Sequence, residues 1–250
     1  MATPYATVLV DTVASTQDEA RRRAADSGMA TLVVAQRQVD GRGRSGRTWL
    51  EAPRAMYSSL AFRPDWDPAV RPRLTLVAGL AVRWALGELT PTTPNLKWPN
   101  DLVIPAGKIG GILTEAEAEW VVIGCGVNLW WNDAPSGIAA ACDDDPGPGL
   151  GAALGERWAG GVLDAVDRGP DHWDADQYRK ACVTLGATIR WEPDGSGAAV
   201  DIDANGGLVV ATPTGRRVLT SGEVTLVRPA TVAADPAHGE GGGPDERSEG

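Results

Sequence analysis

The chain has 250 residues, enough for one large domain or for a medium and a small one. Its 33 acids against 23 bases leave a net charge of -10. Most of the surface therefore repels a phosphate backbone, and a local basic loop reads as a small-anion site before a nucleic-acid patch.

No stretch reaches the ~18 apolar residues of a membrane span, and the N-terminus lacks a basic region followed by an apolar run. Three cysteines, Cys125, Cys142 and Cys182, stand far apart with no CxxC pair. They are expected to be buried thiols in a reduced, cytoplasmic compartment. Only three of the 23 basic residues are lysines, Lys97, Lys108 and Lys180. In a chain that otherwise uses arginine, a retained ammonium on a flexible stem suggests chemical need.

In chain order, alternation over Tyr5 to Val10 predicts a strand. Gln17 to Ala25 follows as a helix with Ser15 or Thr16 as its cap, and then a strand over Thr31 to Gln36. A glycine-arginine loop, GRGRSGRTW over residues 41–49, comes directly after that strand. Tyr57 to Phe62 is the next strand, and Arg73 to Leu89 is an amphipathic helix. Two short β segments surround Leu96-Lys97-Trp98 and Leu102-Val103-Ile104, followed by a run from Lys108 to Glu115 and an apolar strand from Trp120 to Ile123. The segment from Ala141 to Gly149, with Asp143-Asp144-Asp145, is a solvated loop on its turn chemistry. Helices are predicted over Leu150 to Asp167 and His172 to Thr184. Short strands then recur at Ala187–Trp191, Ala198–Asp203, Gly207–Ala211, Arg216–Leu219 and Val224–Val227, the pattern of a small β-barrel. The expected architecture is α+β: a mixed sheet backed by helices over 1–185, a barrel over 186–228 and a disordered tail over 229–250.

The stretch GRGRSG matches the spacing of a dinucleotide fingerprint, but no crossover helix fits before the strand at Tyr57, and no GxxxxGK[ST] phosphate loop is present. What remains is a flexible loop with planar cationic donors at Arg42, Arg44 and Arg47, suited to phosphate and carboxylate oxygens, with Trp49 as a bulky anchor.

With LKWPNDL at 96–102, KIGGILTE at 108–115 and GCGVNL at 124–129, this loop resembles the biotin protein ligases, motif by motif and in the family's order. The resemblance implies a catalytic domain similar to class II aminoacyl-tRNA synthetases plus an SH3-like barrel. It also implies an ATP-dependent ligase that forms biotinyl-5'-AMP and passes biotin to a lysine of a biotin carboxyl carrier protein. By the same match Lys108 is the catalytic lysine, with Arg44 beside it. Ser15, Thr16, Gln17 and Gln36 face the ureido end of biotin, Gln17 standing where the family has an asparagine. Gly41, Arg42, Gly43, Arg44, Gly110 and Gly111 complete the biotin side. Arg42, Arg44, Arg47, Trp49, Lys97, Asn100, Asp101, Lys108 and Asn128 serve ATP. Asp101 is a candidate either for magnesium or for orienting a lysine; Lys97 either adds to the phosphate field or is a surface cation.

A serine-threonine helix cap at 15–16 is compatible with ligand binding. Trp130-Trp131 fits a nucleotide pocket or a core equally, while His172 and His238 lie far from any motif. Only fourteen residues precede Ser15, too few for a DNA-binding module, so no nucleic-acid partner is expected and the chain should be a monomer or weak homodimer. The alternatives are a lipoate or octanoyl ligase of similar fold, or a noncatalytic nucleotide- or RNA-binding module.

Overall fold

A computed structural model describes residues 3–228; the tail expected from 229 lies outside them. β1 (Tyr5–Val13) and β2 (Ala30–Gln38) pair in parallel, joined by α1 (Thr16–Ser27). The other pairings of this sheet are antiparallel, through β3 (Arg54–Phe62), β7 (Trp120–Trp130), β6 (Gly107–Glu117), β5 (Asp101–Ile104) and β4 (Asn95–Lys97). The spatial order is β1-β2-β3-β7-β6-β5-β4.

Strand alternation divides the sheet into two faces. Leu60, Phe62, Val121 and Ile123 turn toward α2 (Arg73–Leu89) and α3 (Gly149–Asp167), forming the main core with Leu74, Leu80, Trp158 and Val162. Val33, Ala61 and Val122 turn the other way and form a smaller cluster with Ala20 and Ala24 of α1, flanked by Val8, Val10 and Trp120. Helix α1 therefore covers part of that face. Beyond it, β7 continues as Gly124-Cys125-Gly126: Cys125 enters the core, and the two glycines leave a depression in the sheet surface.

Several predicted boundaries shift by up to three residues, and two elements change more. β7 runs to Trp130 rather than ending at Ile123, because its glycines stay paired with β3 and β6. The last helix shrinks to α4 (Ala175–Ala181). Residues 170–172 form a separate 3-10 turn, and 182–184 are claimed by β4 and the residue after it: Val183 N donates to Leu96 O, and Trp98 N donates to Thr184 Oγ1.

The remaining strands, β8 (Thr188–Trp191), β9 (Gly195–Ile202), β10 (Leu208–Thr212), β11 (Gly215–Leu219) and β12 (Val224–Arg228), form an antiparallel sheet ordered β11-β10-β9-β8-β12. It docks on the first unit through Trp98 Nε1, which donates to Gly206 O at 3.0 Å, and through Arg179, which bonds Asp201 and Ile202 O. Ile189, Ala199, Leu208 and Val210 belong to the same continuous core as α2 and α3. Among the described residues no helix is long and apolar enough to cross a membrane.

Candidate active site

The depression beside α1 is roofed by the glycine-arginine loop to make a recess of about 140 Å³. Its floor alternates as a strand face should: Tyr57 and Ser59 from β3, Gly124 and Gly126 from β7, Gly111 and Leu113 from β6. A methyl group on Gly126 would sit 3.0 Å from the Trp49 ring, and one on Gly111 would meet both Trp49 and the Lys108 ammonium at 3.2–3.3 Å. The glycines are what let the indole lie flat on the sheet. Lys108 Nζ stands 5.5 Å from the centre of that ring.

One end of the recess is polar and uncharged. Ser15 is the N-cap residue of α1, yet its hydroxyl makes no capping hydrogen bond. Thr16 donates through N and Oγ1 to Gln38 Oε1 at 2.8 and 2.9 Å, and its hydroxyl lies 2.8 Å from Ser59 Oγ. Gln17 Nε2 reaches Leu113 O at 3.3 Å, with its side chain against Gly124. Ser15, Thr16 and Gln17 are all buried.

The other end is cationic. Lys108 Nζ lies 2.6 Å from Asp101 Oδ1, and Lys97 Nζ lies 3.6 Å from the second oxygen of the same carboxylate. Asn100 accepts from Arg44 Nη1 at 2.9 Å and donates to Ile112 O at 2.9 Å, fixing the guanidinium. Arg44 Nη2 also bonds Gly222 O, and Arg47 pairs with Glu223, both from the turn between β11 and β12. Arg42 lies nearer the first end, 3.5 Å from Ser15 Oγ, and pairs with Asp18, whose hydrogen bond raises its already high pKa, so it is a fixed positive charge.

Most residues picked from sequence meet here: Ser15, Thr16, Gln17, Arg42, Gly43, Arg44, Arg47, Trp49, Asn100, Asp101, Lys108 and Gly111. Five do not line the recess as expected. Gln36 bonds Asp11 in a separate crevice beside the start of α3; Gln38, two residues on, holds Thr16 instead. Gly110 faces the core, where a methyl would strike Leu102 and the Gly126 carbonyl. Asn128 lies just outside the lining; it is 4% exposed, and its Nδ2 donates to Ala139 O while its Oδ1 is unpartnered. Gly41 is buried behind the loop, its missing side chain making room for the Gln38 amide. Lys97 is linked to the recess by its ion pair with Asp101.

Sequence reasoning missed Gln38, Tyr57, Ser59 and Glu223, since tertiary contact rather than any local motif brings them in. The Gly-x-Gly alternation at 124–126 was a usable sign of a strand surface something approaches. Among the described residues, no group of three His, Cys, Asp or Glu converges to hold a metal. Burial pushes the Cys125 and Cys182 thiols up, and half-buried Cys142 moves the same way, so none offers a thiolate.

Known proteins share the sequence pattern and the fold. Residues 9–128 match the Biotin/lipoate A/B protein ligase family, and residues 194–227 match the Biotin protein ligase C terminal domain. The biotin--[acetyl-CoA-carboxylase] ligase of Mycobacterium tuberculosis is 32% identical over 212 residues, covering 79% of each chain. The bifunctional ligase/repressor BirA of Bacillus subtilis is 37% identical over 154 residues, which are 59% of this chain; the match spans less than half, 46%, of that protein's length. The structure of the biotin protein ligase from Aquifex aeolicus in complex with biotin and ATP superposes with a TM-score of 0.73 at 26% identity, covering 90% of this chain and 99% of that one. The α+β architecture expected from the sequence is thus the one found in these proteins, and the chain belongs to the biotin protein ligase family.

Proposed function

We propose that this protein activates biotin with ATP and transfers it to a lysine of a biotin carboxyl carrier protein. The observation that carries this reading is a recess with a hydrogen-bonding end at Ser15, Thr16, Gln17 and Gln38, with Arg42 at its mouth beside Ser15, and a cationic end at Arg44, Arg47 and Lys108. A buried ureido group needs matched polar partners, whereas a carboxylate approaching a triphosphate needs positive charge between them.

In the first step a biotin carboxylate oxygen bonds the α-phosphorus of ATP and pyrophosphate leaves, giving biotinyl-5'-AMP. Lys108, a compact charge on a flexible stem, follows the oxygens through that change, with Asp101 holding it in place. Arg44, fixed by Asn100, and Arg42 and Arg47 supply further donors to phosphate and carboxylate. Trp49 and the unpartnered Asn128 Oδ1 are suited to a base bearing an exocyclic amine. In the second step the acceptor amine bonds the acyl carbon, AMP leaves, and the amine gives up its proton.

Pockets that bury a ligand are usually roughly 300–1,000 Å³, so a 140 Å³ recess requires the loop to move. A cleft of about 630 Å³ shares Arg44, Asn100, Ile112 and Leu113 with it and gives the loop room to open. Magnesium is the expected companion of ATP. With Asp101 already beside two lysines, the ion would arrive on the nucleotide's phosphates and take at most that one carboxylate, neutralising charge on the leaving pyrophosphate.

We place the boundary between the catalytic unit and the C-terminal unit at residue 186, supported by the start of β8 at Thr188. Free thiols fit a cytoplasmic site of action. A lipoate-type acid would set an alkyl chain against the polar end, and the match at 194–227 is to the biotin family alone.

Exchange of labelled pyrophosphate into ATP, measured with biotin, with lipoate and with no acid, tests the reading. Exchange that requires biotin is expected. Exchange with lipoate alone would assign the other acid, and none with either would leave a binding module.

A further inference from the structure

The first turn of α1 departs from a local rule. Ser15 at the N-cap with an acid three residues later is the spacing of a capping box, in which the serine accepts from the helix and the acid reaches back to the cap amide. Here the Ser15 hydroxyl makes no cap bond. The Asp18 carboxylate instead takes Arg42 Nη2 at 2.6 Å and Arg21 Nη1 at 3.1 Å. Arg42 Nη2 also lies 3.5 Å from Ser15 Oγ. Both groups that would cap the helix are turned toward one guanidinium.

Asp18 is itself held from behind. Arg21 pairs with Glu115 and stands 3.7 Å from Glu117, both on β6. A line of alternating charge thus runs from the sheet edge through α1 to the loop. The loop over 41–49 contains no acid, so where Arg42 points is decided outside it. Asp18 is 52% and Arg42 40% exposed; such a pair contributes only about 0–1 kcal/mol to stability. Its effect is on direction. The bond to Asp18 uses Nη2 and leaves the Nε and Nη1 hydrogens for oxygen acceptors.

We propose that Asp18 is the positioning residue for Arg42, setting the guanidinium at the mouth of the recess beside Ser15 before substrate arrives. The acid substrate then meets a preset donor, and the acyl-adenylate is retained under a loop already anchored at its start. The role in catalysis rests on the ligase reading; the anchoring of the empty loop does not.

The test uses Asp18→Ala, Asp18→Asn, Arg42→Ala and the Asp18→Ala/Arg42→Ala double variant in the full chain, with two readouts. The first is trypsin cleavage after Arg44 and Arg47 in the ligand-free protein, at unchanged Tm. Both Asp18 variants should be cut several-fold faster than the parent, and the double variant no faster than Arg42→Ala. The second is exchange kinetics. Asp18→Ala should raise the KM for biotin about tenfold with kcat nearly unchanged, and the double variant should match Arg42→Ala, because one residue acts through the other. Parental cleavage rates in both Asp18 variants would overturn the proposal, as would Asp18 and Arg42 effects that multiply. A parent lacking biotin-dependent exchange would instead overturn the ligase reading, and the proteolysis comparison would still decide the role of Asp18.

Discussion

At the scale of single residues, the recess is shaped as much by what is missing as by what is present. Gly111 and Gly126 give Trp49 and Lys108 their floor, and Gly126→Ala places a methyl 3.0 Å from two ring carbons of the indole. Overpacking of this kind costs about 1–3 kcal/mol where the neighbour cannot retreat. Trp49 sits on the loop and can retreat with it, so Gly126→Ala is expected instead to raise the KM for ATP about tenfold with little loss of Tm, read from exchange kinetics beside a melting curve. Lys108 and the arginines were legible from sequence because cations crowded onto glycines in an acidic chain stand out. Gln38 was not: it shares strand parity with Gln36, and only the turn of the chain after β2 sends one amide to Thr16 and the other to Asp11. Gly110 and Gly111 show the same limit, since adjacent strand residues face opposite ways and the motif does not say which is which.

At the scale of elements, the roof is a loop held at its ends and by its arginines. Its start is tied by Val39 N to Val13 O and Asp40 N to Ala14 O, and its far end by the Tyr57 hydroxyl, which accepts from Ala52 N at 2.9 Å. Burial pushes the Tyr57 hydroxyl up to about 12, so it remains a neutral partner for that amide across the working range. Removing it strands a buried N–H, worth about 1–3 kcal/mol. Tyr57→Phe should lower Tm by a few degrees and speed tryptic cleavage within the loop; an unchanged loop cleavage rate would show that the end at residue 52 is held by other contacts. The strand and helix pattern was read well wherever periodicity was strong, as in α2 and in the short strands after Ala187. It was read short in β7, because glycine is a poor strand former by propensity and only pairing on both sides keeps 124–126 extended. It was read long in α4, because 182–184 serve β4 rather than the helix.

At the scale of the molecule, the two sheets share one core, and the second reaches into the recess through the Gly222 carbonyl and Glu223. That places a carboxylate, paired with Arg47, at the edge of a site proposed to take two anions. The chain as a whole carries a net charge of -10, so under the proposed reaction the few cations inside must overcome both the mutual repulsion of the reactants and the field of the protein itself. Lys108 stands at the centre of that arrangement. Labelled pyrophosphate exchange with saturating biotin, run on Lys108→Ala and Lys108→Arg beside the parent at matched Tm, measures its worth. A loss of at least about a hundredfold is expected in both variants; exchange at the parental rate in either would remove Lys108 from the first step.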